Sequence, residues 1–243
     1  MRAPRFFIDG VFAPGDTVTL SGADAHKAAD VLRLRDGDSI ELIDSSGTAY
    51  AATLGVERTR VAATLRAALP RAQADECALV LAQGVPKGQK MDYVVEKATE
   101  LGVARIVPLV TERTIADASP AKLERWRRLA RAAAAQTGRA RPTEIEPPLE
   151  WAALCERFPT YDRVLVAWEL AERVPLRERL PGLVAGARSV LIAIGPEGGF
   201  AHGEAECAAA AGARLVSLGE RILRTETAGL VVCSTVRYAL GEL

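Results

Sequence analysis

Hydrophobic positions are most clearly patterned towards the C-terminal end of the chain. Five consecutive apolar residues, Val190 to Ile194, are bounded by turn-forming residues and predict a fully buried strand. The next segment, Gly195 to Gly199, holds three glycines, which permit sharp turns and close approach of the backbone to a ligand. A second short strand is predicted at Leu215 to Leu218, before Gly219. If the two strands are neighbours in a parallel sheet, their glycine loops form a ligand crevice at one edge.

The N-terminal part of the chain shows closely spaced strand patterns around one short helix. Residues 24–34 predict a helix with Ala28, Val31 and Leu32 on its apolar side, and Ser45 to Gly47 predict a hairpin turn. Strands are predicted at residues 5–8, 17–20, 38–43, 48–56 and 60–65. Many short strands with little helix are typical of a small β-barrel.

From residue 77 onward, predicted strands alternate with predicted helices, which indicates an α/β fold with a parallel sheet. The strands include residues 77–83, 104–110, 143–145 and 163–167, and the helices include 89–101, 120–138, 203–211 and 225–240. Residues 69–76 contain Pro70 and polar side chains and are interpreted as a linker. The sequence therefore predicts two domains, residues 1–70 and residues 77–243.

Composition narrows the class of protein. The 243 residues are 49% apolar, which provides a sizeable core, and the 31 basic residues are balanced by 31 acidic ones, which argues against a simple polyelectrolyte binder of nucleic acid. The four cysteines show no CxxC or CxxH spacing, so neither a metal site nor a disulfide framework is expected. No signal peptide is evident and no apolar run approaches the roughly twenty residues of a membrane span, so we expect a cytoplasmic protein without membrane contact.

The glycine loop at Gly195 to Gly199 has two interpretations. It is not a dinucleotide fingerprint, because GxGxxG is absent and Glu197 would face a pyrophosphate unfavourably. It is not a P-loop either, because no GK[ST] follows. A single loop of this kind is equally compatible with a tight strand-to-helix turn that binds no ligand.

Two segments taken together carry a resemblance. GPEGGF at residues 195–200 and LGERILRTETA at residues 218–228 closely resemble the 16S (small-subunit) ribosomal RNA uracil-N3 methyltransferases of the SPOUT superfamily. HKAADVLRLRDGD at 26–38, KATELGV at 97–103 and QTGR at 136–139 match the same family in the same order, although Ala135 stands where the family has Glu. The resemblance implies a knotted parallel-sheet methyltransferase domain with a trefoil knot, preceded by a PUA-like RNA-binding β-barrel.

The resemblance also implies the cofactor, the reaction and the residues that serve them. S-adenosylmethionine is the expected methyl donor, and N3 of a specific uridine is the expected acceptor. The implied catalytic residues are Arg224, which would stabilise the uracil anion or grip the base, and Glu226, which would be either the base or a helix cap. Glu197 would either face the cofactor or hold the neighbouring loop by a hydrogen bond. The implied cofactor-binding residues are Ala167, Trp168, Ile194, Gly195, Pro196, Glu197, Gly199, Leu218, Gly219, Ile222, Leu223 and Thr225.

Two groups of basic residues are candidates for RNA contact. Residues 122–141 contain seven basic side chains against one acidic side chain, Glu124, and the barrel contributes a second group. The candidates are Arg5, Lys27, Arg33, Arg35, Arg127, Arg131, Gln136 and Arg139. In the alternative interpretation, both groups are solvated charged faces of helices.

The expected partners are 16S ribosomal RNA, within the assembled small ribosomal subunit, and a second copy of the chain. Helix 225–240 carries Leu230, Val231, Val232, Val236 and Leu240, a wider apolar face than one sheet contact needs, and with the SPOUT precedent this predicts a homodimer. Three other functions stay open: a SPOUT enzyme that methylates another RNA position, a catalytically silent RNA-binding relative, and an NAD-dependent enzyme.

Overall fold

The structure is a computed structural model that describes residues 3–57, 60–70, 76–171 and 176–243. It divides into two compact units, residues 1–74 with 134–141, and residues 75–133 with 142–243. Residues 71–75 of the predicted linker lie outside the described residues. The last turn of one long helix belongs to the first unit, an assignment that the sequence pattern did not predict.

The first unit is built on a five-stranded sheet in the order β1-β3-β4-β5-β2. The pairs β3–β4, β4–β5 and β5–β2 are antiparallel, whereas β1 is parallel to β3. Among the described residues, β1 and β2 are the two ends of this order, so closure into a barrel stays a prediction. The strands are β1 (Arg5–Phe7), β2 (Thr17–Leu20), β3 (Ser39–Ile43), β4 (Ala49–Glu57) and β5 (Arg60–Ala68).

The helix of the first unit is shorter than the sequence predicts. An α-helical turn, α1 (Gly22–His26), continues as one turn of π-helix at Lys27–Val31 and then ends. The prediction of a helix to residue 34 was wrong, because Arg33 has φ of 53°, a left-handed conformation that stops a right-handed helix. One face of the sheet packs over a core that includes Phe6, Leu42 and Ala28.

The second unit contains a seven-stranded parallel sheet in the order β12-β10-β11-β6-β7-β8, with β9 also paired to β7. Because all of its strands are parallel, their carboxyl ends lie along one edge. The strands are β6 (Ala78–Gly84), β7 (Arg105–Val110), β8 (Glu144–Ile145), β9 (Leu149–Glu150), β10 (Arg163–Ala167), β11 (Ser189–Ile194) and β12 (Arg214–Val216).

Helices cover both faces of this sheet, as parallel sheets require. Leu81 and Ile192 point to the face covered by α2 and α7, whereas Val166 and Leu191 point to the face covered by α4 and α6. The helices are α2 (Lys90–Glu100), α3 (Pro120–Thr137), α4 (Trp151–Glu156), α5 (Leu176–Val184), α6 (His202–Ala210) and α7 (Thr225–Leu240). Within the described ranges, no helix is long and apolar enough to cross a membrane.

The C-terminal end of α7 is held by a buried charged side chain. Arg237 is 2% exposed and forms an ion pair with Glu242. Its guanidinium also donates to the carbonyl oxygens of Cys77 at 3.1 Å, Gly102 at 2.5 Å and Leu101 at 3.3 Å. This side chain therefore joins α7 to the start of β6 and to the two residues that directly follow α2.

We predict that Arg237→Met lowers the free energy of unfolding by about 3–5 kcal/mol, because it removes the buried cation that pairs with Glu242 and donates to three carbonyl groups. Urea denaturation measures the change. Arg188→Met, at an exposed arginine in the same unit, is the control and should shift stability by no more than about 0.5 kcal/mol. Equal stability of the two variants would contradict the anchoring role of Arg237.

Candidate functional site

Four loops leave the carboxyl edge of the parallel sheet beside one another. Residues 195–201 follow β11, residues 217–224 follow β12, residues 168–171 follow β10 and residues 85–89 follow β6. The strands β12, β10, β11 and β6 are consecutive neighbours, so these loops converge. The structure thus brings together the GPEGGF and LGERILRTETA segments and the loop after β10. The loop after β6 was not among the predicted site segments.

A chain of buried hydrogen bonds connects three of these elements. The Thr225 hydroxyl lies 2.5 Å from the Gly195 carbonyl oxygen, and Gln83 Nε2 lies 2.8 Å from the same hydroxyl. The Gly195 oxygen can only accept, so the single Thr225 proton is donated to it and the hydroxyl oxygen accepts from Gln83. The side chain of Thr225, predicted to bind cofactor, is therefore committed to holding α7 against the glycine loop.

The glycines of this region are explained first by packing of the chain against itself. A Cβ atom on Gly84 would lie 2.4 Å from the backbone nitrogen of Pro196, and one on Gly195 would lie 2.9 Å from the carbonyl carbon of Gly199. A Cβ atom on Gly229, in α7, would lie 2.6 Å from Gln83 Oε1. These distances are too short for any side chain. Gly195 is thus required by the fold of the loop itself, before any ligand is considered.

The loop between β12 and α7 presents backbone groups that the protein does not use. No hydrogen bond joins the backbone N–H and C=O groups of residues 220–223 to another residue in the described part of the chain. Ile222 is 98% exposed, and Gly219 turns the loop with φ of +104°. Unused donors and acceptors next to an apolar side chain suit a ligand with both a polar and an aromatic part.

One lysine lies between the two glutamates of the site. Lys90 Nζ is 3.6 Å from Glu197 Oε1 and 3.6 Å from Glu226 Oε1. Glu197 Oε1 also accepts from the backbone N–H of Lys87 at 2.9 Å. Glu197 thereby holds the loop after β6, which corresponds to the second of its two interpretations. The sequence analysis missed Lys90, although its position at the start of α2, after a strand end, was a usable signal.

The same contacts set the charge of Glu197. Burial raises the pKa of this carboxyl, but the hydrogen bond from Lys87 and the nearby Lys90 ammonium lower it by more. The net pKa lies below the ordinary value of 4.5, so Glu197 is anionic at neutral pH. It acts as a fixed negative charge rather than as a group that exchanges protons near neutral pH.

The two predicted catalytic residues both keep unused polar atoms. Glu226 Oε2 is buried and has no hydrogen-bond partner among the described residues, while Oε1 faces Lys90. Arg224 is exposed, and its guanidinium contacts no described acid. A buried carboxylate oxygen without a partner is costly, so its retention favours a ligand that supplies a proton donor. Capping of α7 does not account for the Glu226 side chain.

The residues predicted after β10 are divided between two faces. The Trp168 side chain is buried on the face covered by α4 and α6, where its ring lies 5.4 Å from the ring of His202. Its backbone N–H donates to the Val216 carbonyl at 3.0 Å. Ala167 packs on the opposite face with Ile194. Trp168 therefore belongs to the core, and its backbone carbonyl accepts from the N–H of Ala171 at 3.1 Å.

A segment after β7 also supports the glycine loop. Arg113 Nη1 donates to the Gly198 carbonyl oxygen at 2.8 Å, and a Cβ atom on Gly198 would lie 3.1 Å from Arg113 Cβ. The N–H of Glu112 donates to Glu204 Oε1 at 2.8 Å. No motif in the sequence pointed to this segment. Its position at the carboxyl end of a central strand was the only available signal.

The predicted RNA-contact residues differ in how far their charges are available. Arg5 is paired with Glu41 and largely buried, so its charge is already neutralised. Lys27 lies 5.5 Å from the ring centroid of Phe6, a cation–π contact. The remaining predicted residues are exposed Arg33, Arg35 and Gln136, exposed Arg127 paired with Glu124, and half-buried Arg131 and Arg139. No group of residues able to hold a metal ion occurs in the described ranges.

We predict that Gly199→Val abolishes measurable binding of S-adenosylmethionine, the ligand that the motif resemblance implies. Gly199 has φ of +66°, which a β-branched residue adopts only under strain, and its Cβ would lie 2.9 Å from Glu169 Oε1. Gly203→Val is the matched control, because nothing lies within 4 Å of that Cβ. Calorimetric titration of both folded variants measures the affinity. Unchanged affinity in Gly199→Val would place the ligand elsewhere.

Most of the chain is similar to known proteins. Residues 73–237 match the family model of the RNA methyltransferase domain. Ribosomal RNA small subunit methyltransferase E of Synechocystis sp. is 31% identical over 92% of this chain and 74% of its own length. The protein of the same name from Mycobacterium bovis is 31% identical over 97% of this chain and 92% of its own length.

A solved structure shows the same fold with a ligand. The crystal structure of ribosomal RNA small subunit methyltransferase E from Neisseria gonorrhoeae, bound to S-adenosyl methionine, is 29% identical with a TM-score of 0.84, and the match covers 98% of both chains. With the family model covering most of the chain, these similarities show that the chain belongs to the ribosomal RNA small subunit methyltransferase E family of RNA methyltransferases.

Proposed function

We propose that this protein transfers the methyl group of S-adenosylmethionine to N3 of one uridine in 16S ribosomal RNA. The observation that carries the proposal is the carboxyl edge of the parallel sheet, where the GPEGGF and LGERILRTETA segments meet beside an unpartnered buried carboxylate oxygen. Residues 77–243 would form the SPOUT methyltransferase domain with its trefoil knot. Residues 1–70 would form a PUA-like barrel that recognises folded RNA.

The residues at this edge fit the proposed cofactor. The unused backbone groups of residues 220–223 would hold its adenine and ribose, with Leu218 and Ile194 supplying apolar contact. The loop of Gly195 to Gly199 and the backbone after β10 would form the other walls. When bound, S-adenosylmethionine supplies a methyl group on a positively charged sulfur. The contribution of the protein is then alignment of donor and acceptor, which supplies much of the barrier reduction in such transfers.

Glu226 is the proposed acceptor of the uracil N3 proton. The reaction needs this proton to be removed, and a carboxylate within hydrogen-bond distance can take it. Lys90 faces Oε1 at 3.6 Å, which orients the side chain and leaves Oε2 for the substrate. The N3–H group of the bound base would give the buried Glu226 Oε2 a hydrogen-bond partner.

Arg224 is the proposed group that stabilises the charge left on uracil. Loss of the N3 proton places negative charge on O2 and O4, which a cation or backbone donors must meet. Arg224 directly precedes the helix that carries Glu226, and its guanidinium is exposed. The proposed cation and the proposed base are therefore close together along the chain, at the start of α7.

The partners follow from the substrate. A chain without net charge gains little from RNA charge alone, so we propose the assembled small ribosomal subunit as the substrate and the cytoplasm as the location. We also propose a homodimer that buries the exposed part of α7. Val231 is 37% exposed and Tyr238 is 76% exposed on that helix, and both would be covered by a second copy.

The proposed reaction is tested by incubating small subunits that lack the modification with S-adenosylmethionine, digesting the RNA and identifying the methylated nucleoside by mass spectrometry. We predict 3-methyluridine, formed faster on subunits than on naked 16S RNA. Arg224→Ala should lower kcat about 10²- to 10³-fold and leave cofactor affinity unchanged, because its charge is needed only as N3 loses its proton.

Arg221→Ala is the matched control, since Arg221 is exposed in the same loop and contacts no described acid. Methyl transfer to a ribose oxygen or to guanine would overturn the proposed reaction. Cofactor binding without transfer to any RNA would indicate a catalytically silent relative. Full turnover of Arg224→Ala would contradict the role proposed for Arg224 and leave the proposed reaction standing.

RNA contact by the first unit is tested by reversing charge at its exposed arginines. We predict that Arg33→Glu combined with Arg35→Glu weakens RNA binding and lowers the slope of log affinity against log salt by about 0.7–0.9 for each phosphate that the protein no longer neutralises. The control is Arg188→Glu combined with Arg214→Glu, which reverses the same number of charges at the amino edge of the parallel sheet in the second unit. If both double variants bind RNA alike across the salt range, Arg33 and Arg35 form a solvated face only.

A further inference from the structure

Two cysteines on neighbouring helices lie next to each other, on the sheet face opposite α7. Cys155 is in α4 and Cys207 is in α6, and the two thiols are close enough for the charge of one to affect the other. Trp151 Nε1 donates to the Glu204 carbonyl oxygen at 3.1 Å, which ties the first turns of the two helices together. Each cysteine lies about one turn beyond its member of this pair, so each lies on the side of its helix that faces the other helix.

The two thiols differ in their access to solvent. Cys155 is 7% exposed, whereas Cys207 is on the surface. Burial, together with the neighbouring Cys207, raises the pKa of the Cys155 thiol to about 12. An oxidant in solution therefore reaches the Cys207 thiol first, whereas the Cys155 thiol is shielded from it by burial. This order of access is that of a reactive cysteine with a resolving partner.

We propose that Cys155 and Cys207 form an oxidant-induced disulfide that links α4 to α6. The oxidant is a hydroperoxide such as hydrogen peroxide. The Cys207 thiolate attacks a peroxide oxygen, which gives a sulfenic acid and releases hydroxide, protonated to water. Cys155 gives up its proton and attacks the sulfenic sulfur, and a second water leaves. Overall, two thiols lose two electrons and two protons, and one hydrogen peroxide becomes two waters.

The link would be made close to the candidate site. Helix α6 begins two residues after Phe200, and Glu204 in its first turn accepts from the N–H groups of Ala201 at 2.8 Å and Glu112 at 2.8 Å. A disulfide one turn further along fixes the helix that carries these contacts to α4. The proposal depends on the contact of α4 with α6 alone, so it stands or fails independently of the methylation reaction.

The remaining cysteines provide an internal comparison. Cys77 and Cys233 are buried on the face covered by α2 and α7, away from the Cys155–Cys207 pair. Burial raises the pKa of the Cys233 thiol to about 12 as well, and both Cys77 and Cys233 are shielded from an oxidant in solution, whereas Cys207 is exposed. The structure therefore predicts selective loss of one pair of thiols under mild oxidation, rather than gradual loss of all four.

The test treats the reduced full-length protein with hydrogen peroxide, alkylates it under denaturing conditions and counts the blocked thiols by mass. We expect loss of two hydrogen atoms, two protected cysteines and a cross-linked peptide pair containing Cys155 and Cys207, all reversed by dithiothreitol. Cys207→Ser, at an exposed position, should abolish the cross-link, and Cys233→Ala should retain it. The oxidised protein should also unfold at a higher temperature than the reduced protein, because the link constrains the unfolded chain.

Several results would overturn the proposal. These are persistence of the cross-link in Cys207→Ser, oxidation of Cys207 to sulfinic acid with Cys155 still alkylated, and cross-linking only between chains on a non-reducing gel. Cys155→Ser adds a second check if Cys207→Ser alters the fold. It should leave a sulfenic acid at Cys207 that reacts with dimedone, and absence of that adduct would also count against the assigned order of reaction.

Discussion

The hydrogen-bond chain from Gln83 through Thr225 to the Gly195 carbonyl is the interaction on which the site depends. It joins the end of β6, the start of α7 and the loop after β11, and all three groups are buried. Each bond in the chain has a defined donor, so loss of the Thr225 hydroxyl would leave a buried carbonyl oxygen and a buried amide without partners. The start of α7 therefore has one allowed position against the sheet.

Close backbone approach is the second constraint, and the hydrogen-bond chain depends on it. The chain of hydrogen bonds forms only because Gly84, Gly195 and Gly229 lack side chains where Pro196, Gly199 and Gln83 approach within 2.4–2.9 Å of the would-be Cβ atoms. The other end of α7 is held by Arg237 and Glu242. With both ends of the helix fixed, residues 220–223 are the part of the preceding loop whose backbone is left unused and available to a ligand.

Charge at the site is arranged by the same loops. Lys90 stands between Glu197 and Glu226, and one glutamate is used to hold a loop while the other keeps an unpartnered oxygen. Two carboxylates near one cation thus take different roles because only one of them receives a backbone N–H. The side chains of Trp168 and Cys155 pack on the opposite face of the sheet from α7.

The sequence by itself determined the parallel α/β pattern, the strand at 190–194, the final helix and the two motif segments, because these depend on local hydrophobic periodicity and on contiguous residues. It also indicated the glycine loops as the place for chemistry. The tertiary structure alone decided which side chains are already committed: Arg5 to Glu41, Thr225 to Gly195, and Trp168 to the core. It also brought in Gln83 and Lys90. Hydrogen bonds and ion pairs between distant residues depend on which strands become neighbours, and periodicity along the chain carries no information about that choice.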